Sequence, residues 1–131
     1  MMAHTLIRTV PIDEMRYKTA GDWLSDDPLL QTIVVVAMPD WRHSFLVALH
    51  ELVEAALCNH RGIKEADVTA FDKCFAATIS EDAEPGDDPN APYYAEHQFA
   101  SHIETEMADM LGVKWDEYEA AIRAAMNPTG G

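Results

Sequence analysis

The stretch from Trp41 to Arg61, WRHSFLVALHELVEAALCNHR, constrains the fold more than any other part of the chain. At about 100° per residue, its apolar residues cover well over half of a helix circumference, which predicts a core helix rather than a surface helix. Asp40 precedes the stretch as an N-cap residue, and Gly62 follows it as a residue that ends helices in the left-handed conformation. The other elements are therefore expected to pack around this helix.

A polar stripe interrupts the apolar surface of this helix. His50 and Glu54 are four residues apart, so their side chains lie one turn apart on one face, and Glu51 follows His50 directly. A buried charge without a partner costs about 3–5 kcal/mol, so these groups need partners. The sequence leaves two kinds open: a bound cation, or pairing of Glu54 with Arg42 or Arg61 while His50 donates to a backbone carbonyl.

The remaining patterns predict a single domain over residues 1–131 with an α+β fold. A small N-terminal sheet of about three strands precedes about four helices, and segregation of strands from helices is typical of that class. Ser25–Pro28 is predicted to be a turn or linker. The predicted strands are Thr5–Val10, Met15–Leu24 and Gln31–Met38, and the predicted helices are Trp41–Arg61, Lys64–Ala77, Tyr93–Leu111 and Trp115–Met126.

The third predicted helix carries a second set of polar groups beside its own apolar stripe. That stripe consists of Phe99, Ile103, Met107 and Met110. His97 and Glu104 lie at its border, whereas Glu96 lies nearer its centre and His102 lies on the polar side. Participation of Glu96 or His102 in a site is left open.

A divalent-metal site follows if the first and third predicted helices pack antiparallel, because His50 and Glu54 then face His97 and Glu104. Two residues one turn apart on one helix, joined by one or two from another helix, are a common way to build such a site. Imidazole nitrogen with carboxylate oxygen suits zinc, and also manganese, iron or nickel. We therefore predict a divalent cation as cofactor, with zinc as the first choice.

The sequence His50–Glu54, HELVE, resembles the HExxH motif of zinc metalloproteases, with Glu54 at the place of the second His. The strand-to-helix region Gln31–Arg61 is similar to that of small zincin-like (minimal gluzincin) proteins. The resemblance implies a metal-dependent, peptidase-type hydrolase in which His50 is a ligand and Glu51 is the catalytic general base. His97 would then supply the missing imidazole. In size and style the chain also resembles small uncharacterised phage and prophage proteins.

A second resemblance concerns two pairs of acidic residues. Glu51-x-x-Glu54 and Glu106-x-x-Asp109 resemble the acidic motifs of all-α nucleotide pyrophosphohydrolases of the MazG type. That resemblance implies a magnesium ion held against a triphosphate.

Charge limits the classes of partner. With 9 basic and 23 acidic side chains the net charge is −14, which argues against binding nucleic acid or an anionic membrane through a basic patch. It leaves open a non-catalytic interaction or inhibitor protein that binds a basic protein partner. The acidic segment Ser80–Pro92 lacks the ligand spacing of a calcium loop and is predicted to be a solvated loop.

The chain is expected to be cytoplasmic, in the host cytoplasm if it is encoded by a phage. The N-terminus lacks the pattern of a signal peptide, and the longest aliphatic run, Ile33–Met38, is too short to span a membrane. Cys58 and Cys74 are both predicted in helices, as reduced and mostly buried thiols.

Overall fold

Strand β3 (Leu30–Val36) is the centre of a three-stranded sheet to which four helices are added, which confirms the predicted small α+β fold. The computed structural model describes residues 4–27, 29–76 and 84–128. The other elements are β1 (His4–Val10), β2 (Gly21–Asp27), α1 (Trp41–Arg61), α2 (Glu65–Ala76), α3 (Tyr94–Met110), α4 (Trp115–Met126) and the short 3-10 turns Ile12–Glu14 and Pro85–Asp87. Within these described ranges, no helix is long and apolar enough to cross a membrane.

The sheet is mixed, with the strand order β1-β3-β2. β1 runs parallel to β3 and β2 runs antiparallel to it, so that Ile7 and Trp23 both pair with Ile33. Ile33 and Val35 are completely buried, and the alternate residues Val34 and Val36 are buried as well. β3 is therefore covered on both faces, as its continuous run of branched residues predicts.

The predicted bounds of the second strand, Met15–Leu24, are wrong. Arg16 donates to Asp22 (2.7 Å) and Tyr17 donates to Asp72 (2.9 Å), so these side chains hold their segment against other groups instead of in the sheet. Backbone pairing with β3 begins only at Gly21.

The prediction that the strand ends in a turn at Ser25–Pro28 is also wrong for residues 25–27, the part of this segment that the structure describes. β2 continues through Ser25 to Asp27, with an irregularity in its pairing between Leu24 and Asp27. A bulge lets a strand continue with locally disrupted pairing, so a run of turn-forming residues does not by itself end a strand.

Helix α1 begins and ends where the sequence predicts. The Asp40 side chain accepts a hydrogen bond from the Arg42 backbone N–H (2.9 Å), and Gly62 adopts the left-handed conformation with φ 75°. Arg42 donates to the Leu111 carbonyl near one end of α1, while Arg61 pairs with Glu96 near the other. α1 and α3 are therefore antiparallel, as the predicted metal site requires.

The apolar stripe predicted for α3 is wrong at two of its four positions. Phe99 is 51% exposed and Met110 is 84% exposed. The buried residues of α3 are Glu96, His97, Ala100, Glu104 and Ala108. The alanines allow α3 to approach α1 closely, and the buried polar groups find partners there. α3 therefore packs against α1 through the polar residues beside its predicted apolar stripe.

The two cysteines differ in their surroundings. Cys58 is completely buried in α1, whereas Cys74 is exposed on α2. The prediction of burial is therefore confirmed for Cys58 and wrong for Cys74.

Candidate metal centre

Three potential ligand atoms from α1 and α3 converge in the interior. His50 Nε2 lies 3.2 Å from Glu54 Oε2 and 3.1 Å from His97 Nδ1, and the last two atoms are 2.9 Å apart. The three residues are only 8%, 4% and 6% exposed, respectively. The four-residue spacing on α1 supplies two corners of this triangle, and antiparallel packing of α3 supplies the third.

The hydrogen-bond partner of His50 Nδ1 determines which nitrogen of the neutral ring carries the proton. Its Nδ1–H donates to Glu104 Oε1 at 2.7 Å, and the Tyr118 hydroxyl donates to Glu104 Oε2 at 2.6 Å. A neutral imidazole carries only one N–H, so Nε2 is left with a lone pair directed into the triangle.

The groups that bond to His97 and Glu54 on the side away from the triangle, their outer partners, orient these two side chains in the same way. His97 Nε2–H donates to Glu84 Oε2 at 3.2 Å, with Asp87 Oδ1 at 3.4 Å, so that in the neutral ring Nδ1 would carry the lone pair. Trp23 Nε1–H donates to Glu54 Oε1 at 3.1 Å, so only Oε2 of that carboxylate faces the triangle. With both rings neutral, three lone-pair atoms would meet in the triangle while the opposite atom of each side chain is already hydrogen-bonded, as in the outer shells of metal ligands.

The triangle attracts positive charge. Burial alone would lower the pKa of His97, but hydrogen bonds with Glu54 and Glu84 raise it to about 10. Burial would likewise raise the pKa of Glu54, but hydrogen bonds from His50 and His97 lower it to about 2. Without a metal ion, the two imidazoles must therefore hold the protons that satisfy the buried carboxylates.

The donor set and its dimensions fit zinc. Ligand bonds of about 2.0–2.1 Å in tetrahedral geometry place neighbouring ligand atoms about 3.3 Å apart. The edges of the triangle, 2.9–3.2 Å, lie within a few tenths of an ångström of that value. Two imidazoles and one carboxylate are also an established ligand set of catalytic zinc sites, which keep one position open.

Glu51 lies next to the triangle, on the side facing β2. A Cβ atom added to Gly21 would lie 2.7 Å from Glu51 Cγ, so that strand passes directly over this side chain. Glu51 and Glu54 line a cavity of about 20 Å³, which is enough for one water molecule. Burial and the neighbouring Glu54 carboxylate raise the pKa of Glu51 well above its usual range.

The structure places the predicted site residues in three kinds of position. It brings His50, Glu54 and His97 together as a triangle of potential ligand atoms. Glu104, which was predicted as a further ligand, contacts the opposite nitrogen of His50. Glu51, the predicted base, borders the cavity.

The other polar groups considered from the sequence have different partners. Glu96 is buried but pairs with Arg61 at 2.9 Å, and His102 is exposed. Arg42 pairs with Asp40. The alternative in which an arginine neutralises Glu54 is therefore wrong, because both arginines are bound to other carboxylates.

Four outer partners were not identified from the sequence: Trp23, Glu84, Asp87 and Tyr118. Glu84 and Asp87 belong to the predicted solvated loop, of which residues 80–83 lie outside the described ranges, and their side chains are indeed 61% and 57% exposed. What the sequence did not reveal is that these two carboxylates approach His97. No local pattern distinguishes Trp23 or Tyr118 from ordinary packing residues.

The acidic pairs compared with the MazG type occupy different environments. Glu54 is buried in the triangle, whereas Glu106 and Asp109 are exposed on α3. Comparisons with known protein families, with curated proteins and with solved structures found no match.

Proposed function

We propose that this protein is a zinc-dependent hydrolase of the peptidase type. His50, Glu54 and His97 hold the metal, and Glu51 is the general base. The convergence of three acceptor atoms, each fixed by an outer partner, is the observation that carries the proposal. The resemblance of HELVE to a zinc-protease helix supports the same reaction class. When bound, zinc supplies Lewis-acid chemistry.

The protein's own groups divide the remaining work. Glu51 borders the water-sized cavity, where its carboxylate accepts a proton from a water molecule beside Glu54. Trp23 and Glu104 keep Glu54 and His50 oriented towards the triangle. The one carboxylate in the ligand set halves the charge of a divalent ion, which lowers the expense of burying it.

Metal analysis of protein purified without added metal tests the binding step. We expect one zinc per chain and a melting temperature that falls when a chelator removes it. A metal-free protein whose melting temperature ignores both zinc and chelator would overturn the proposal.

Glu51→Gln tests the catalytic step, with cleavage of a mixed peptide library followed by mass spectrometry. The variant should keep its zinc and lose hydrolysis by a factor of about 100 or more, because only the base is removed. Glu106→Gln, the same change at an exposed position of α3, is the control and should cleave normally. Equal cleavage by both variants contradicts the role of Glu51.

A further inference from the structure

Helix α4 has only one buried residue, Tyr118, which is completely shielded from solvent. Ile122 is partly buried against the core, and Trp115 at the start of the helix is 38% exposed. Tyr118 is therefore the one α4 side chain that is fully inserted into the interior. Such elements open locally at a lower free energy than the core.

The contacts of Tyr118 lead to the metal centre. Its hydroxyl donates to Glu104 Oε2 at 2.6 Å, and the other oxygen of that carboxylate accepts from His50 Nδ1 at 2.7 Å. Its ring stacks on His43 of α1 with the ring centroids 5.5 Å apart. A continuous path of hydrogen bonds therefore runs from α4 to the His50 ring, on the nitrogen opposite the one that faces the triangle.

We infer that Tyr118 is a positioning residue that couples the docking of α4 to metal binding; this inference rests on the proposed function. The hydroxyl orients Glu104, and Glu104 keeps the proton of His50 on Nδ1, so that Nε2 is free to bind. When α4 leaves, Glu104 loses a donor and His50 is held less firmly. Because coupling between two equilibria is reciprocal, metal at the triangle must also favour the docked helix.

Amide hydrogen exchange of the full chain, with and without zinc, measures this coupling. Zinc should slow exchange across Trp115–Met126. Tyr118→Phe keeps the buried ring and removes only the hydroxyl, so it should weaken zinc binding about 10-fold. It should also reduce the protection of α4 by zinc by the same factor. Tyr94→Phe, the same substitution at a tyrosine that is 37% exposed, is the matched control and should change neither quantity.

The outcomes separate this inference from the function on which it rests. If the unmodified chain binds zinc but exchange in α4 does not respond, the coupling is absent and the hydrolase proposal stands. If Tyr118→Phe binds zinc as tightly as the unmodified chain does, Tyr118 has no positioning role. If the unmodified chain binds no zinc, the proposed function and this inference both fall.

Discussion

His50 Nε2 lies 3.1 Å from His97 Nδ1, with the two rings tilted 66° to each other in the interior between α1 and α3. Two nitrogen lone pairs do not face each other at this distance unless a proton or a cation lies between them. Glu104 and Glu84 engage the outer nitrogens of the two rings, so the inner nitrogens and Glu54 Oε2 share either protons or a cation.

Removing His97 should abolish high-affinity zinc binding, because the other two atoms of the triangle are too few to hold the ion. For His97→Ala we expect zinc affinity to fall by more than about 100-fold, because the loss of an outer partner alone costs about 10–100-fold. Competition with a chromophoric chelator measures it. His102→Ala, on an exposed face of the same helix, is the control, and equal losses in the two variants would argue against the triangle.

Trp23→Phe should weaken zinc binding without removing a ligand. The indole N–H holds Glu54 Oε1 at 3.1 Å, and its loss frees the carboxylate to turn, for an expected decrease in affinity of about 10-fold. The same titration applies, with Trp41→Phe as the control because Trp41 is 65% exposed. An unchanged affinity would show that Glu54 is oriented by other contacts.

Gly21→Ala should impair hydrolysis while leaving zinc bound. Its new methyl group would lie 2.7 Å from both Glu51 Cγ and Val47 Cγ1, so Glu51 must move. The free energy of unfolding should fall by about 1–3 kcal/mol, because the added methyl group overpacks the site. Gly62→Ala is the control: φ there is 75° and no side chain is near, so it destabilises by backbone strain alone. Comparable hydrolysis by the two variants would place Glu51 outside the reaction.

Asp72→Asn should stabilise the protein at neutral pH. Burial raises the pKa of Asp72, and hydrogen bonds from Tyr93 and Tyr17 offset part of that rise. The resulting pKa is about 6. The folded state therefore binds this proton more tightly than the unfolded state, and stability from this group is lost as pH rises from about 4 through 6.

Urea unfolding of both proteins between pH 4 and 7 checks this sign. The asparagine variant lacks this titration, so its advantage should approach about 3 kcal/mol at pH 7 and shrink towards pH 4. A difference that stays constant over this range would mean that Asp72 titrates normally in the folded state.

The sequence by itself determined the elements that depend on local patterns. The cap residue Asp40, the terminal Gly62 and the apolar circumference between them specify α1, and the branched run of β3 specifies a strand covered on both faces. The spacing of His50 and Glu54 places both on one helix face in any fold. These features follow from backbone geometry and hydrophobic periodicity, which act over a few residues.

Only the tertiary structure decided which groups complete the site. Hydrophobic periodicity predicted that α3 would bury Phe99 and Met110, yet it buries His97 and Glu104 instead. Burying a polar group is favourable only when a partner from another element satisfies it, and no local pattern contains that partner. Trp23 and Tyr118 are remote from the triangle along the chain, so only tertiary packing brings them into contact with Glu54 and Glu104.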